Sequence, residues 1–169
     1  MREIDRIADQ FERACSGDAW YGPSVRSALE GIDASTATGY PVPSAHSICE
    51  IVLHMTAWTR EVARRLRVGV AQNPAEGDWP AGTAGSDAEW QAVVAALEAA
   101  NPELLEAIRR MDDARLDDLI GDTRDPALGS GVTRYVTLHG VVQHHVYHAG
   151  QISLLKRAAE ASRGSTVTE

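Results

Sequence analysis

Several things are scarce in this chain, and each scarcity excludes something. Two cysteines, Cys15 and Cys49, stand far apart with no CxxC spacing, so neither a redox motif nor a zinc knuckle is indicated. So few thiols fit a reducing compartment. No apolar run is long enough to cross a bilayer. The opening MREIDRIADQFERAC is charged throughout and holds no signal-peptide core, so a cytoplasmic protein without a membrane partner is expected. Positive charge is in deficit, 16 Lys and Arg against 24 Asp and Glu, for a net charge of −8. A nucleic-acid binder usually presents a basic face, so no nucleic-acid partner is expected. Catalytic signatures are also missing: there is no HExxH of a zincin and no GxSxG nucleophile elbow. No Glu-x-x-His occurs, which removes the carboxylate-bridged di-iron site that helical bundles often carry.

What remains is an ordinary globular composition, 44% apolar and 24% charged, over 169 residues. That length suits one domain, residues 1–169, with one sizeable core. Strand signals are weak; the best, RYVTL, leads straight into a helical pattern. Helical signals are strong. A first helix is predicted over about Arg2 to Cys15, and Pro23-Ser24 opens a short one through Leu29. GIDASTATGYPVPSAH reads as irregular.

Ser47 and Glu50 form a capping box that starts the next long helix, which ends near Arg67. Its buried face is marked by Ile51, Met55, Trp58 and Val62 at helical spacing, and His54 falls inside that stripe. GVAQNPAEGDWPAGTAG follows as a loop. A second capping box, Ser86 with Glu89, opens a helix whose apolar set runs from Trp90 to Ile108. Asn101-Pro102 predicts a kink or a restart with Asn101 as cap, because proline removes a hydrogen bond and clashes with the preceding turn. MDDARLDDLI predicts a short helical turn and GDTRDPALGSG a loop. A last helix is predicted from about Thr133 to Ala161. The whole is all-α, an antiparallel four-helix bundle.

The last helix carries the chemistry. QHHVYHAGQISLLKR packs His144, His145 and His148 into five positions. His144 and His148 lie one turn apart and share a face, so both can reach one ion. Neutral imidazole is the commonest ligand of zinc-like metals, and His54 offers a third from another helix. A single buried histidine is more often a satisfied core residue. Three on apolar stripes would each need partners for both ring nitrogens, and few polar neighbours are in sight. Spacing alone separates His144/His148 poorly from His145/His148. His139 and His46 read as surface or loop residues, and Trp58 as core. Glu50, one turn before His54, is placed either to orient that ring or simply to complete its capping box. Gln151, one turn beyond His148, is placed to contact a ligand.

The segment HGVVQHHVYHAGQISLLKR closely resembles the last-helix signature of the DinB-like (DinB/YfiT) superfamily of metal-dependent enzymes: a His, three residues, a second His, one residue, then Gly-Gln. His144, His148, Gly150 and Gln151 match it in order. SICEIVLHMTAW resembles the family's second helix, whose His corresponds to His54. WYGPSVRSALEGI and EGDWP resemble segments of one uncharacterised branch, in which the position after Trp20 is often His; here it is Tyr21.

The resemblance implies a DinB-like bundle of up-down-down-up topology, often a homodimer. It implies a three-His site, here His54, His144 and His148, for a divalent transition metal such as zinc or nickel, with His145 left as a neighbour. Relatives include bacillithiol S-transferases and a mycothiol-dependent maleylpyruvate isomerase. The resemblance therefore implies thiol S-transfer or hydrolysis on a small-molecule electrophile, with a low-molecular-weight thiol as cosubstrate. The alternatives are a metal-binding or stress-related bundle without turnover, and a bundle whose histidines are merely buried.

Overall fold

Amphipathic spacing builds four long helices. α1 (Glu3–Cys15) buries Ile4, Ile7, Ala8, Phe11 and Ala14, the three- and four-residue steps of one helical face. α4 (Ile48–Val68), α5 (Asp87–Arg109) and α6 (Arg134–Gly164) complete the bundle. Two short helices, α2 (Val25–Leu29) and α3 (Ala34–Thr38), link α1 to α4. The computed structural model describes residues 1–125, 127 and 129–164. Among these no helix is long and apolar enough to cross a membrane. The long helices pack in a ring, α1 against α5 and α6, and α4 against α5 and α6.

The core falls into two apolar clusters, one toward each end of the bundle. One gathers α2, α3, the first halves of α4 and α5, and the second half of α6: Ile48, Ile51, Met55, Trp90, Leu97, Ile152 and Leu155 among others. The other gathers α1 with the second halves of α4 and α5 and the first half of α6: Phe11, Val62, Leu66, Leu104, Ile108, Leu138 and Val141 among others. Thus α4 and α5 run in the same direction and α6 runs against them, so the bundle is not the antiparallel one expected from helix pattern alone; the short helices α2 and α3 and the long α4–α5 loop carry the chain back to the same end. Between the clusters lies a level where polar residues enter the interior. His54 sits beside Met55, the last α4 residue of the first cluster, and two turns before Val62 of the second. Asn101 sits between Leu97 and Leu104 on α5. His144, His145 and His148 sit between Val141 and Ala149 on α6.

Local chemistry explains the boundaries, and in places departs from the sequence reading. The Ser47–Glu50 capping box forms as expected, with Glu50 N–H donating to Ser47 Oγ at 3.2 Å and Ser47 N–H to Glu50 Oε2 at 2.7 Å. At α5, Ser86 caps Glu89 N–H, but the Glu89 carboxylate accepts from Gly85 N–H instead of closing the box on Ser86. Pro102 neither ends nor restarts α5, which is continuous from Asp87 to Arg109. Packing on both sides holds it together, and Asn101 spends its side-chain amide on His145 rather than on a cap. The stretch read as irregular contains α3, capped by Asp33, whose carboxylate accepts from Thr36 N–H at 2.7 Å. The helical turn expected after Met111 is a 3-10 turn, Asp113–Arg115. Its Asp113 carboxylate reaches back to cap α1, accepting from Glu3 and Ile4 N–H at 2.8 and 2.9 Å.

RYVTL is not a strand; it opens α6. The strands lie just before it. β1 (Leu119–Gly121) pairs antiparallel with β2 (Gly131–Thr133), Gly121 opposite Gly131. Gly131 sits at φ +114°, and a Cβ there would stand 2.0 Å from the Ile120 carbonyl oxygen. No side chain fits that approach. Gly131→Ala is expected to destabilise the fold by about 1–3 kcal/mol through backbone strain, seen as a lower midpoint in urea or thermal unfolding. An unchanged midpoint would mean the hairpin turn is free to shift.

Candidate metal centre

α4 and α6 bring His54, His144 and His148 together in the polar level between the two apolar clusters. His144 Nε2 lies 2.9 Å from His54 Nε2 and 3.1 Å from His148 Nε2. The ring planes are inclined to one another by 47°, 74° and 83°, so the rings splay around a common point instead of stacking. The three donor atoms lie within 4.8 Å of one another. Nitrogens around a tetrahedral zinc at 2.0–2.1 Å stand roughly 3.3 Å apart, within a few tenths of an ångström of these separations.

The outer ring nitrogens set what faces inward. His54 Nδ1 lies 2.6 Å from the Asp78 backbone oxygen. A carbonyl only accepts, so Nδ1 carries the hydrogen and neutral His54 points an Nε2 lone pair at the centre. His148 Nδ1 lies 2.6 Å from Gln151 Oε1, and the Gln151 amide is oriented in turn by donating to Tyr147 Oη at 3.1 Å. His148 therefore also turns a lone pair inward. One hydrogen, on His144 Nε2, is all that neutral rings can supply to this meeting of three nitrogens, and His144 Nδ1 is buried with no hydrogen-bond partner among the described residues. Burial pushes the His144 imidazole down to about 3 and His148 down to about 4. Both rings are thus neutral near pH 7, the state a metal ligand requires. Converging neutral lone pairs are the donor set of a zinc-like ion, and the group is compatible with metal binding.

His145 belongs to a different structure. It is 0% exposed. Its Nδ1 donates to the Val141 carbonyl at 3.0 Å, its Nε2 accepts from the side-chain amide of Asn101 at 3.2 Å, and Phe11 packs against it edge-on at 5.0 Å. It is a satisfied core histidine that ties α6 to α5 across the bundle. His139, read as a surface residue, is half-buried against Tyr135, and its enclosed Nε2 has no partner among the described residues.

Glu50 stands in its capping box, also accepts from Tyr40 Oη at 3.2 Å, and lies 3.5 Å from His46 Nδ1. The residue that meets His54 Nδ1 is Asp78. It comes from the loop between α4 and α5, whose EGDWP resembles a segment of one family branch but has no place in the site read from the sequence. Its side chain accepts from Trp58 Nε1 at 2.7 Å, so Trp58 is a half-buried wall residue and not the core residue expected. The neighbouring Trp79 lies flat on His54 at 4.0 Å, and His46 also stacks on Trp79 at 3.5 Å. The one available signal was the Asp-Trp-Pro of EGDWP, a polar-aromatic pair held stiff by proline in an otherwise small-residue loop.

Neither cysteine joins this site. Burial pushes the Cys15 thiol up to about 12 and raises that of Cys49. A pocket of about 220 Å³ adjoins His144, between α4 and the start of α6. A cavity of about 490 Å³ lies elsewhere, between α1, α2 and α5, and none of the three histidines lines it.

Fold and site together describe a helical bundle with three imidazoles gathered for an ion. Residues 23–152 match the sequence profile of the DinB superfamily, and the chain belongs to that superfamily. A crystal structure of a conserved protein from Enterococcus faecalis has the same fold, with a TM-score of 0.67 at 16% identity over 94% of this chain and 97% of that one. No curated protein matches the sequence.

Proposed function

We propose that the chain is a metal-dependent enzyme of the DinB superfamily acting on a small-molecule electrophile, with His54, His144 and His148 as the ligands of a zinc- or nickel-like divalent ion. The observation that carries this reading is the convergence of three Nε2 atoms, two of them with lone pairs directed inward by Asp78 and Gln151. When bound, such an ion supplies Lewis acidity that makes a water or a small thiol nucleophilic near neutral pH. The chain's own part is to hold and shape. Asp78 and Gln151 fix ring orientation and tautomer, the role that partners of metal-binding histidines play generally. Trp79 covers His54 from solvent. His46 stacks on Trp79, and Glu50 lies 3.5 Å from His46. Three neutral ligands leave the ion's charge uncompensated, which favours an anionic partner such as a thiolate. A low-molecular-weight thiol is accordingly the cosubstrate of this reading, and thiol S-transfer or hydrolysis its reaction. A two-fold homodimer accompanies it: light scattering at about twice the 18.2 kDa chain mass supports that part, and a clean monomer removes it.

The test has two stages. Calorimetric titration of chelator-treated protein with zinc and with nickel should show one ion per chain; absence of binding would reject the metal site. Thiol consumption assays with haloalkane, epoxide and maleyl-type electrophiles then separate an enzyme from a metal-binding bundle without turnover. Gln151→Ala is expected to weaken metal binding by roughly 10–100-fold, because His148 loses the partner that fixes its tautomer. Unchanged affinity would show that His148 needs no such partner.

A further inference from the structure

The pocket beside His144 lies between α4 and the first turns of α6, with Val132 at its rim. Trp58 stands one turn along α4 from His54, and Gly140 one turn along α6 from His144. His144 is the one member of the triad that also lines this pocket. The pocket and the imidazole cluster are therefore continuous through a single ring.

The wall is apolar, and most of its polar atoms are already engaged. Val62, Val132, Val136 and Val141 supply aliphatic surface. Trp58 Nε1 donates to Asp78, and Thr137 Oγ1 donates to the Thr133 carbonyl at 3.1 Å. Arg65 spends Nε on Glu61 and Nη2 on the Gln72 carbonyl, and its guanidinium lies 5.1 Å above the Trp58 ring. Besides Arg65 Nη1, the polar group left to meet a ligand is His144. Asp78 fixes this wall and the triad together, since its side chain holds Trp58 while its backbone oxygen holds His54.

Gly140 keeps the space open. It lies within α6, where glycine is the poorest helix former after proline. Its backbone has no positive φ that would demand glycine, and a Cβ built there meets no atom within 4 Å. Gly140 is exposed where it lines the pocket, so a longer side chain here has room to fold over the roughly 220 Å³ beside His144. A cavity of about 150 Å³ already accommodates benzene in another protein.

We infer that this pocket is the subsite that receives the apolar body of the ligand, a single ring or a short branched alkyl group, whose reactive polar end then lies at His144. This rests on the proposed function for the identity of the reacting end, but the pocket can be tested without any metal. The probe is benzyl alcohol, titrated into the full chain with backbone amide and histidine ring signals followed by NMR. The expected result is one saturating process that shifts the amides of Val136, Gly140 and Val141 together with the His144 ring, while glycerol at equal concentration moves none of them.

Gly140→Leu should weaken benzyl alcohol binding at least tenfold while leaving the protein as stable or more so. His148→Ala should leave it within twofold, so loss of the metal reading and loss of this one are separable. Absence of saturating shifts, shifts confined to the cavity between α1, α2 and α5, shifts of the valines without the His144 ring, or full binding to the Gly140→Leu variant would each overturn the inference.

Discussion

Alanine at His148 should lower zinc affinity by roughly two orders of magnitude or more, since it removes one of three donors and a partner's loss alone costs 10–100-fold. Alanine at His145, its neighbour in the same helix, should leave affinity within a few fold. The two changes should trade places when stability is measured. His145 is 0% exposed, with both ring nitrogens hydrogen-bonded and Phe11 against its edge. Removing it opens a cavity and strands the Asn101 side chain, at a cost of about 2–4 kcal/mol. His148 borders the polar meeting of ring nitrogens, whereas Phe11 packs against His145, so the loss of His148 should be milder for the fold. Competition with a chromophoric chelator reads the first effect, and urea unfolding of the metal-free proteins reads the second. Equal losses of affinity at both positions would mean that the ligand pair on α6 has been assigned wrongly. No loss at either would return the cluster to plain core histidines.

Acid should destabilise the metal-free protein steeply over a definite window. Burial pushes His145 down to about 4 in the folded state, His148 to about 4 and His144 to about 3. In the unfolded chain each ring takes a proton near 6.5. Above that pH both states are neutral and no proton linkage acts. As pH falls below 6.5 the unfolded chain binds protons that the folded protein refuses, so stability declines. The decline ends near pH 4 for His145 and His148 and near pH 3 for His144, where the folded rings protonate too. For the entirely buried His145 alone the loss amounts to about 3 kcal/mol. Urea midpoints at pH 7.5, 6, 5 and 4 should fall accordingly, and His145→Gln, which retains a hydrogen-bonding amide, should show a flatter decline. A stability curve that is level from pH 7 to 4 would show that these rings are not held neutral. With zinc present the same protons compete for the ligand lone pairs, so the ion should leave within this window.

The features legible in the sequence were those with local causes. The capping box at Ser47 and Glu50 needs only residues three apart, and it forms. The helical stripes of α1, α4, α5 and α6 follow from periodicity. Elements whose cause is remote were misread. Pro102 is tolerated because neighbouring helices hold α5 on both sides, which no window around Pro102 reveals. The strands β1 and β2 are three residues each and exist through pairing with one another, so neither carries an alternating pattern. The partner of His54 follows the same division. Glu50 is near in sequence and serves its own helix start, while Asp78 is 24 residues away and arrives by the path of a loop.

The sequence by itself determined the helical class and the long helices, because helix propensity, capping and one-turn spacing are properties of neighbouring residues, and it offered the candidate triad through its resemblance to the family signature. Spacing left His144 and His145 equivalent as partners of His148, since both stand within about a turn of it and both belong to an apolar context. Only the tertiary structure separated them, by presenting Asn101 and Phe11 to one ring and His54 to the other. It alone supplied Asp78 and Trp79 around His54 and the open volume at Gly140. Those depend on which surfaces meet when the bundle closes, and that is settled by packing over the whole chain and not by any short stretch of it.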